Sequence, residues 1–257
     1  MYTSPDLRCI RERVQINEQP ITEDLFTKYF FEVWDRLFSE QEGVVDSKEN
    51  MPRFLQFLAL LALHTFIREE VEATIYETHN GGEYDATNVV HKPVATGITS
   101  IGLDHIAQLG PTIENIAWHK AGIFKLGTPA FSAPQEAAAA AMLKTRAEEK
   151  GVDLKFVEAD YSLPSNAQAL QAPVQRLNCS LAIALANTFL EHTLGSKNHM
   201  SQSDIVRGIE GFSWPGRFEV IKDGNIKWFL DGAHNELSIK QAAEWFCKTT
   251  AEKEEWV

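Results

Sequence analysis

The sequence predicts an α/β fold with a mostly parallel sheet, because short apolar or β-branched runs alternate with longer segments that repeat apolar residues at helical spacing. A second observation supports a packed core. Hydrophobic residues make up 44% of the 257 residues and charged residues 23%, which is ordinary globular composition and does not fit a disordered chain.

The first part of the chain is predicted to contain two helices. Over residues 22–38 apolar side chains share one face, and Thr22 stands in the N-cap position. Over residues 51–71 a second helix is predicted, with Pro52 in its first turn, where a missing N–H costs nothing. The β-branched run 73–76 then predicts a strand that leads into a glycine-rich turn.

From residue 94 onward, strands and helices alternate. The predicted strands are 94–101, 129–131 and 153–158, and the predicted helices are 112–121, 134–150, 175–192 and 203–211. Gly151 is expected to end the helix before it. The segment 163–173 has weak periodicity and predicts a surface loop.

The pattern changes near Ser213, where we predict a domain boundary. Two strands, 218–222 and 226–230, flank a turn and form a hairpin that is followed by a helix over 235–248. We expect residues 1–213 to form one domain and residues 214–257 to begin a second, because about 40 residues can hardly bury a core of their own.

Charge and cysteine usage exclude several classes of partner. With 24 basic and 36 acidic residues the net charge is −12, which argues against a nucleic acid or an anionic membrane held by a basic surface. The three cysteines are far apart, so no disulfide framework or zinc knuckle is expected. The longest apolar run, 54–63, is too short to span a bilayer, and we find no secretory signal at residue 1.

Three clusters of polar residues follow predicted strands, where α/β proteins usually bind ligands. The first is Glu77 with the loop 79–88, the second is the segment 99–105 with Lys120, and the third is Arg217 with the segment 231–235. Each cluster also has a plain structural interpretation: a tight turn with a solvated glutamate, a hydrogen-bonded loop histidine, or a surface arginine. Taken singly, the residues leave both interpretations open.

Lys120 is the most unusual of these residues. It lies among apolar side chains, and desolvation there is expected to lower the pKa of its amine unless the side chain reaches water. A neutral amine can react with carbon dioxide, which converts a cation into a carboxylate.

Together, the clusters resemble one family. The segments ETHNGGEYDATN, ITSIGLDHIAQLGPTIENIAWHKAGIFKLGTPAF, WPGRFEV and DGAH are similar in order and spacing to those of folylpolyglutamate synthases, which are Mur-ligase-like ATP-dependent amide ligases. The opening residues YTSPDL resemble the family's TSPHL segment. The resemblance implies a P-loop-type ATPase domain in residues 1–213 and the start of a Rossmann-like C-terminal domain in residues 214–257.

The resemblance also implies a reaction of one-carbon metabolism. ATP would phosphorylate the terminal carboxylate of a tetrahydrofolate polyglutamate, and L-glutamate would attack the acyl phosphate. The implied cofactors are ATP and Mg²⁺ at two sites, with a monovalent cation as a further candidate. The implied protein is a monomer with no nucleic-acid or membrane partner. Its expected location is the cytoplasm, with the mitochondrion as a second candidate.

Residue by residue, the matches fall into four groups. Those implied to hold magnesium are Glu77, His105 and Lys120, the last as a carbamate, and those implied to act in catalysis are Lys120, His105 and Arg217. Those implied to contact ATP are Asn178 near the adenine, Arg217 at the phosphates, Asp231 at the ribose, and His234. Those in the folate region are Thr3, Ser4 and Pro5.

The sequence also departs from the family. None of its fifteen glycines belongs to a G-x-x-x-x-G-K-[ST] motif, which the family carries with a first strand before the TSPHL segment. We therefore expect both domains to be incomplete here. His79 stands where the family has glycine, which puts the backbone angles of that loop in question.

Two alternatives stay open at this point. The same motifs serve dihydrofolate synthases, which join dihydropteroate to the first glutamate. The other alternative is a non-catalytic fragment, because losing even one donor to a transition-state charge can cost about 10²–10³ in rate. We expect the chain by itself not to support ATP-dependent ligation.

Overall fold

The computed structural model describes residues 1–39, 51–165 and 167–251. The chain divides into two compact units, Met1–Val90 and His91–Val257. The predicted boundary near Ser213 lies inside the second unit, and the two domains predicted on either side of it stay a prediction. The predicted second domain extends beyond the described residues at its last six positions, 252–257.

The first unit contains two helices and a short hairpin. The hairpin pairs β1 (Gln15–Ile16) with β2 (Gln19–Pro20), and α1 (Glu23–Ser39) follows. Thr22 caps α1 as predicted, since its hydroxyl accepts a hydrogen bond from the backbone N–H of Leu25 at 3.3 Å. The predicted apolar face of α1 lies in the core of this unit; its members are Leu25, Phe26, Tyr29, Phe30, Val33 and Leu37.

The second helix, α2, runs over Phe54–Arg68 and is shorter than predicted. Its N-cap is Arg53, whose backbone N–H donates to the side chain of Gln56 at 2.8 Å. The prediction that Pro52 lies in the first turn was wrong, because the cap places Pro52 outside the helix. At the other end, Glu70 has a positive φ of 50°, which stops the helical backbone.

The strand predicted over 73–76 is reduced to a single parallel bridge between Tyr2 and Tyr76. The backbone N–H of Tyr2 donates to the carbonyl of Ile75 at 2.8 Å, and that of Glu77 donates to the carbonyl of Tyr2 at 2.9 Å. The segment is extended, but its partner around Tyr2 is itself too short for a longer ladder. The bridge brings the first residues of the chain to Glu77.

The second unit contains the predicted parallel sheet. Its strand order is β3 (Thr96–Ile98), β4 (Ala130–Ser132) and β5 (Leu154–Phe156), and both pairings are parallel. The helices α4 (Ile113–Lys120) and α5 (Ala137–Lys150) belong to the same hydrophobic core. Fully buried members of that core include Ile116, Phe124, Ala130 and Leu143. The α/β fold with a parallel sheet is therefore confirmed.

Helix boundaries in this unit follow local chemistry. Thr112 caps α4 through its hydroxyl, and Gly151 ends α5 in the left-handed conformation at φ 63°. A four-residue helix, α3 (Ile106–Leu109), was not predicted. The longest helix, α6 (Pro173–Leu194), begins at a proline, and α7 (Gln202–Gly211) is capped by Ser201.

The prediction of a surface loop over 163–173 was wrong in part. Leu163 and Leu170 are 2% and 5% exposed and pack with Ile209 of α7. The weak periodicity of this segment hid the cluster, because Leu163 lies in a bend and Leu170 in a short 3₁₀ helix, and neither belongs to an α-helix or a strand.

The hairpin and helix predicted after residue 217 are confirmed. The strands β6 (Glu219–Asp223) and β7 (Ile226–Leu230) pair in antiparallel register, and α8 (Glu236–Thr250) follows. Trp245 of α8 is 3% exposed, and its ring lies 5.5 Å from that of Phe229. In the part of the chain that the structure describes, no helix has the length and apolarity needed to cross a membrane.

The burial pattern of α2 gives a direct stability test. Leu61 is 0% exposed, whereas Ile67 of the same helix is 74% exposed. We expect Leu61→Ala to lower the free energy of unfolding by about 2–5 kcal/mol, because it leaves a cavity in the core. Ile67→Ala is the control and should change it by less than about 0.5 kcal/mol. Urea denaturation followed by circular dichroism measures both, and equal losses would contradict the described packing.

Candidate functional site

In the first unit, Glu77 is held by the opening residues of the chain. Its Oε2 atom accepts hydrogen bonds from the hydroxyl of Thr3 and from the backbone N–H of Ser4, the latter at 3.1 Å. Pro5 follows directly in sequence. The structure thus brings Glu77, predicted as a metal ligand, together with Thr3 and Ser4 from the predicted folate region.

The loop after Glu77 is organised by a buried carboxylate. The side chain of Asp85 is 3% exposed and accepts from the backbone N–H groups of His79 at 3.0 Å, Asn80 at 2.8 Å and Thr87 at 2.9 Å. Burial by itself would raise the pKa of Asp85, but the hydrogen bonds from His79, Asn80 and Thr87 outweigh it and lower the pKa to about 2.

His79 fits this loop without backbone strain. The positive φ in the glycine-rich turn is at Gly81, at 74°, and His79 is not among the positive-φ residues. The imidazole lies 3.3 Å from Asp85 through Nδ1 and contacts the hydroxyl of Tyr2 through Nε2. The question raised by a histidine in place of glycine is therefore answered: the side chain is buried in a polar network.

In the second unit, the loop after β3 is fixed by a residue that follows β4. The side chain of Gln135 accepts from the backbone N–H of Ile101 and donates to the carbonyl of Thr99, both at 2.9 Å. Beyond it, His105 has a φ of 52° and starts α3, and its backbone N–H donates to Asp104 at 2.8 Å. His105 itself is exposed.

A cavity of about 210 Å³ opens beside this loop. It joins Lys120 at the end of α4, Asn178 on α6 and Asn235 at the start of α8, and Asp104 also lines it. The Oδ1 atom of Asn178 is buried and has no hydrogen-bond partner among the described residues. An ammonium group, a carboxylate, amides and hydroxyls around one cavity are suited to a polar ligand.

The third cluster lies on the turn before β6 and the loop after β7. Asp231 accepts from the backbone N–H groups of Phe218 at 2.8 Å and Ala233 at 2.9 Å. The guanidinium of Arg217 donates to the carbonyl of Gly216 at 3.0 Å and packs closely over Gly232. Arg217 also lines a second cavity, of about 480 Å³, together with Trp214 and Gln175.

His234 connects the third cluster to the loop after β3. Its Nδ1 lies 2.9 Å from the carbonyl of Gly232, and its Nε2 lies 3.3 Å from Asp104. The Gly232 carbonyl is the main reason that the pKa of His234 is raised, and Asp104 adds to the effect.

Magnesium is the metal that the resemblance implies for this site. Within residues 1–39, 51–165 and 167–251, no group of three or more His, Cys, Asp or Glu side chains is arranged to hold a metal ion. Glu77 belongs to the first unit, and His105 and Lys120 belong to the second. The Glu77 carboxylate, with the Thr3 hydroxyl beside it, offers the hard oxygen donors that Mg²⁺ prefers, and Mg²⁺ commonly takes its other ligands from substrate phosphates and water.

Three residues of the site were assigned no individual role from the sequence. Asp104 and Asn235 lie in the second and third predicted clusters, and Gln135 lies outside the clusters. Asn235 carried a detectable pattern, since it is the first residue of the predicted helix 235–248 and asparagine is a favoured N-cap. In the structure it caps α8 by accepting from the backbone N–H of Ser238 at 3.0 Å. Asp104 directly precedes His105 but was not assigned a role. Gln135 had no local signal, because its partners lie 34 and 36 residues away.

Comparison with known proteins tests the resemblance found in the sequence. No family model matches it. The folylpolyglutamate synthase of Neurospora crassa is 45% identical over 260 residues, which cover 98% of this chain and 49% of that protein. This chain is homologous to folylpolyglutamate synthases. It spans about half the length of the curated relatives it matches.

Solved structures of folylpolyglutamate synthases share this fold. The S73A mutant of L. casei FPGS superimposes with a TM-score of 0.86 at 26% identity, and the match covers 97% of this chain and 65% of that one. A folylpolyglutamate synthase complex with AMPPCP and folate superimposes with a TM-score of 0.85 at 26% identity, covering 97% of this chain and 64% of its own. The resemblance to this family and the α/β fold are both confirmed.

The buried Asp85 predicts how stability depends on pH. Its pKa is about 2 in the folded protein and near its ordinary value of 3.8 when unfolded, so its stabilising effect is present above about pH 4 and is lost as the pH falls toward 2. Between pH 5 and pH 3, we expect the native protein to lose about 1 kcal/mol of unfolding free energy that Asp85→Asn does not lose.

Urea denaturation at several pH values measures this difference. Asp153→Asn is the matched control, because the Asp153 side chain is 76% exposed. A native protein whose pH dependence equals that of Asp85→Asn would show that the Asp85 hydrogen bonds do not stabilise the fold.

Proposed function

We propose that this chain contributes the nucleotide-binding and metal-binding residues of a ligase. The ligase adds L-glutamate to the γ-carboxyl of tetrahydrofolate polyglutamates. The observation that carries the proposal is the cavity of about 210 Å³ that joins Lys120, Asn178 and Asn235, in a chain homologous to folylpolyglutamate synthases. A related enzyme has been solved in complex with AMPPCP, an ATP analogue, and folate, which supports both ligand classes.

The proposed reaction has two steps. An oxygen of the folate's terminal carboxylate attacks the γ-phosphorus of ATP, which releases ADP and forms an acyl phosphate. The amino group of L-glutamate then attacks the acyl carbon, loses a proton and expels inorganic phosphate, so that an amide bond forms. Both steps join anions, and catalysis therefore depends on positioning and on offsetting negative charge.

On the nucleotide side, we assign Asn178 to the adenine, Asp231 to the ribose and Arg217 to the phosphates, with His234 in the same segment. The unpartnered Oδ1 of Asn178 supports the first assignment, because a buried acceptor gains from a donor such as an exocyclic amine. The planar guanidinium of Arg217 is suited to phosphate oxygens. Asp231 also holds the turn at Phe218, so its role is partly structural.

On the metal side, we assign Glu77, His105 and a carbamylated Lys120 to Mg²⁺ at two sites. Mg²⁺ would offset the charge of the transferring phosphate. Lys120 is flanked in sequence by the buried apolar residues Ile116, Ala117 and Ala121, and the neutral form of an amine is the one that reacts with carbon dioxide. Thr3, Ser4 and Pro5 are assigned to the folate region, and their position at Glu77 in the first unit agrees with a role near the reacting carboxylate.

The remaining features of the proposal follow from the homology alone. They are a monovalent cation as a further candidate cofactor, a monomeric state, and a location in the cytoplasm, with the mitochondrion as a second candidate. This sequence contains no P-loop motif, so the phosphate contacts that such a loop supplies do not come from these residues. We expect nucleotide binding by this chain and no detectable turnover by the chain alone.

Isothermal titration calorimetry with AMPPCP and Mg²⁺ tests the nucleotide assignment. We expect saturable binding to one site, and about tenfold weaker binding by Asn178→Ala, because its amide contacts are lost. Asn225→Ala, in the exposed hairpin turn, is the control and should bind like the native chain. Absence of AMPPCP binding, or equal binding by Asn178→Ala, would contradict the proposal.

The choice of folate is tested by a second titration in the presence of AMPPCP. Tetrahydrofolate and dihydropteroate are compared as ligands, and we expect tetrahydrofolate to bind. Binding of dihydropteroate alone would contradict the assignment and favour a dihydrofolate synthase.

Gly232 lies against the side chain of Arg217, so a substitution there tests the role of Arg217. A Cβ atom at Gly232 would lie 2.1 Å from Nη1 of Arg217, so Gly232→Ala must displace the guanidinium. Because that group is the end of a flexible side chain, we expect little loss of stability but about tenfold weaker AMPPCP binding. Gly208→Ala, where nothing lies within 4 Å, is the matched control. Unchanged affinity in Gly232→Ala would remove Arg217 from the phosphate site.

A further inference from the structure

Asp104 connects two segments of the candidate site that lie far apart in sequence. Its Oδ1 accepts from the backbone N–H of His105 at 2.8 Å, which fixes the start of α3. Its Oδ2 accepts from the side-chain amide of Asn235 at 3.1 Å and lies 3.3 Å from Nε2 of His234. The two oxygens of one carboxylate therefore serve the loop after β3 and the loop before α8.

The side-chain oxygen of Asn235 is also hydrogen-bonded. Its Oδ1 accepts from the backbone N–H of Ser238 and caps α8 at 3.0 Å, which leaves its amide nitrogen for Asp104. The two segments also approach closely beside this bond: a Cβ atom at Gly102 would lie 3.0 Å from the side chain of Leu237. The contact is thus a packed junction with one directed hydrogen bond.

The hydrogen bond between Asn235 and Asp104 contributes more to this contact than the ion pair between His234 and Asp104. The His234 side chain is 71% exposed and that of Asp104 is 37% exposed, so their ion pair lies largely in water and contributes little. The hydrogen bond from Asn235 to the Asp104 carboxylate is charge-assisted and couples to a helix cap. Removal of either partner should loosen both segments.

The junction also borders the cavity of about 210 Å³, which Asp104 and Asn235 line together with Lys120 and Asn178. We propose that Asp104 is a positioning residue that, through Asn235, holds the loop carrying His105 and the nucleotide segment 231–235 in register across this cavity. The proposal rests on the proposed nucleotide site. Asp104 itself touches neither the nucleotide nor the metal in this account; it acts by setting the distance between the groups that do.

An exchanged pair of side chains tests the bond without removing the helix cap. Asn235→Asp keeps the cap but sets two carboxylates against each other. In the double variant Asp104→Asn with Asn235→Asp, the amide at 104 can donate to the carboxylate at 235 and its oxygen can still accept from His105. Asp104→Ala removes the contact outright, and Asp153→Asn is the exposed control.

The first measurement is hydrogen exchange of backbone amides in the chain without nucleotide. In Asp104→Ala and Asn235→Asp, we expect exchange at His105 or in the first turn of α8 to rise about tenfold, and the double variant to restore it. Unchanged exchange across the junction in both single variants, or no restoration in the double variant, would overturn the coupling.

The second measurement is AMPPCP affinity by calorimetry, with thermal unfolding measured in parallel. We expect both single variants to bind about tenfold more weakly and the double variant to bind within about threefold of the native chain. Altered exchange with native AMPPCP affinity would show a purely structural contact and overturn the positioning role. A native chain that binds no AMPPCP refutes the proposed function, and hydrogen exchange then decides the Asp104–Asn235 coupling alone.

Discussion

Parallel pairing of β3, β4 and β5 is the constraint on which the second unit depends. Parallel strands end at the same edge of a sheet, so the residues after β3 and β4 must meet there. Gln135, just after β4, bonds to Thr99 and Ile101 after β3, and this fixes the loop that leads to Asp104 and His105. The cavity with Lys120 and Asn178 opens beside that loop. The parallel pairing of the strands therefore sets the position of one wall of the cavity.

Several carboxylates of this acidic protein accept hydrogen bonds from backbone N–H groups. Asp85, Asp231 and Asp104 each accept backbone N–H groups in a loop of the candidate site. The net charge of −12 therefore includes groups that shape the loops. Under the proposed function, local donors such as Arg217 and metal ions would hold the anionic ligands against the overall charge of the chain.

The sequence predicted the elements whose ends are set by local chemistry. Thr22, Thr112, Gly151 and the turn before β7 all mark ends that neighbouring residues decide. The start of α2 was misplaced because Arg53 is an unusual cap. Burial of Leu163 and the bond of Asn235 to Asp104 could not be predicted, because their partners lie tens of residues away or more, up to 131 for that bond.

We propose that the cavity joining Lys120, Asn178 and Asn235 is the nucleotide site of a folylpolyglutamate synthase homologue. A crystal structure of the chain with AMPPCP and Mg²⁺ tests this assignment. We expect nucleotide density in that cavity, with the adenine at Asn178 and the phosphates toward Lys120 and Arg217. Nucleotide bound elsewhere on the chain, with this cavity left to solvent, would contradict it.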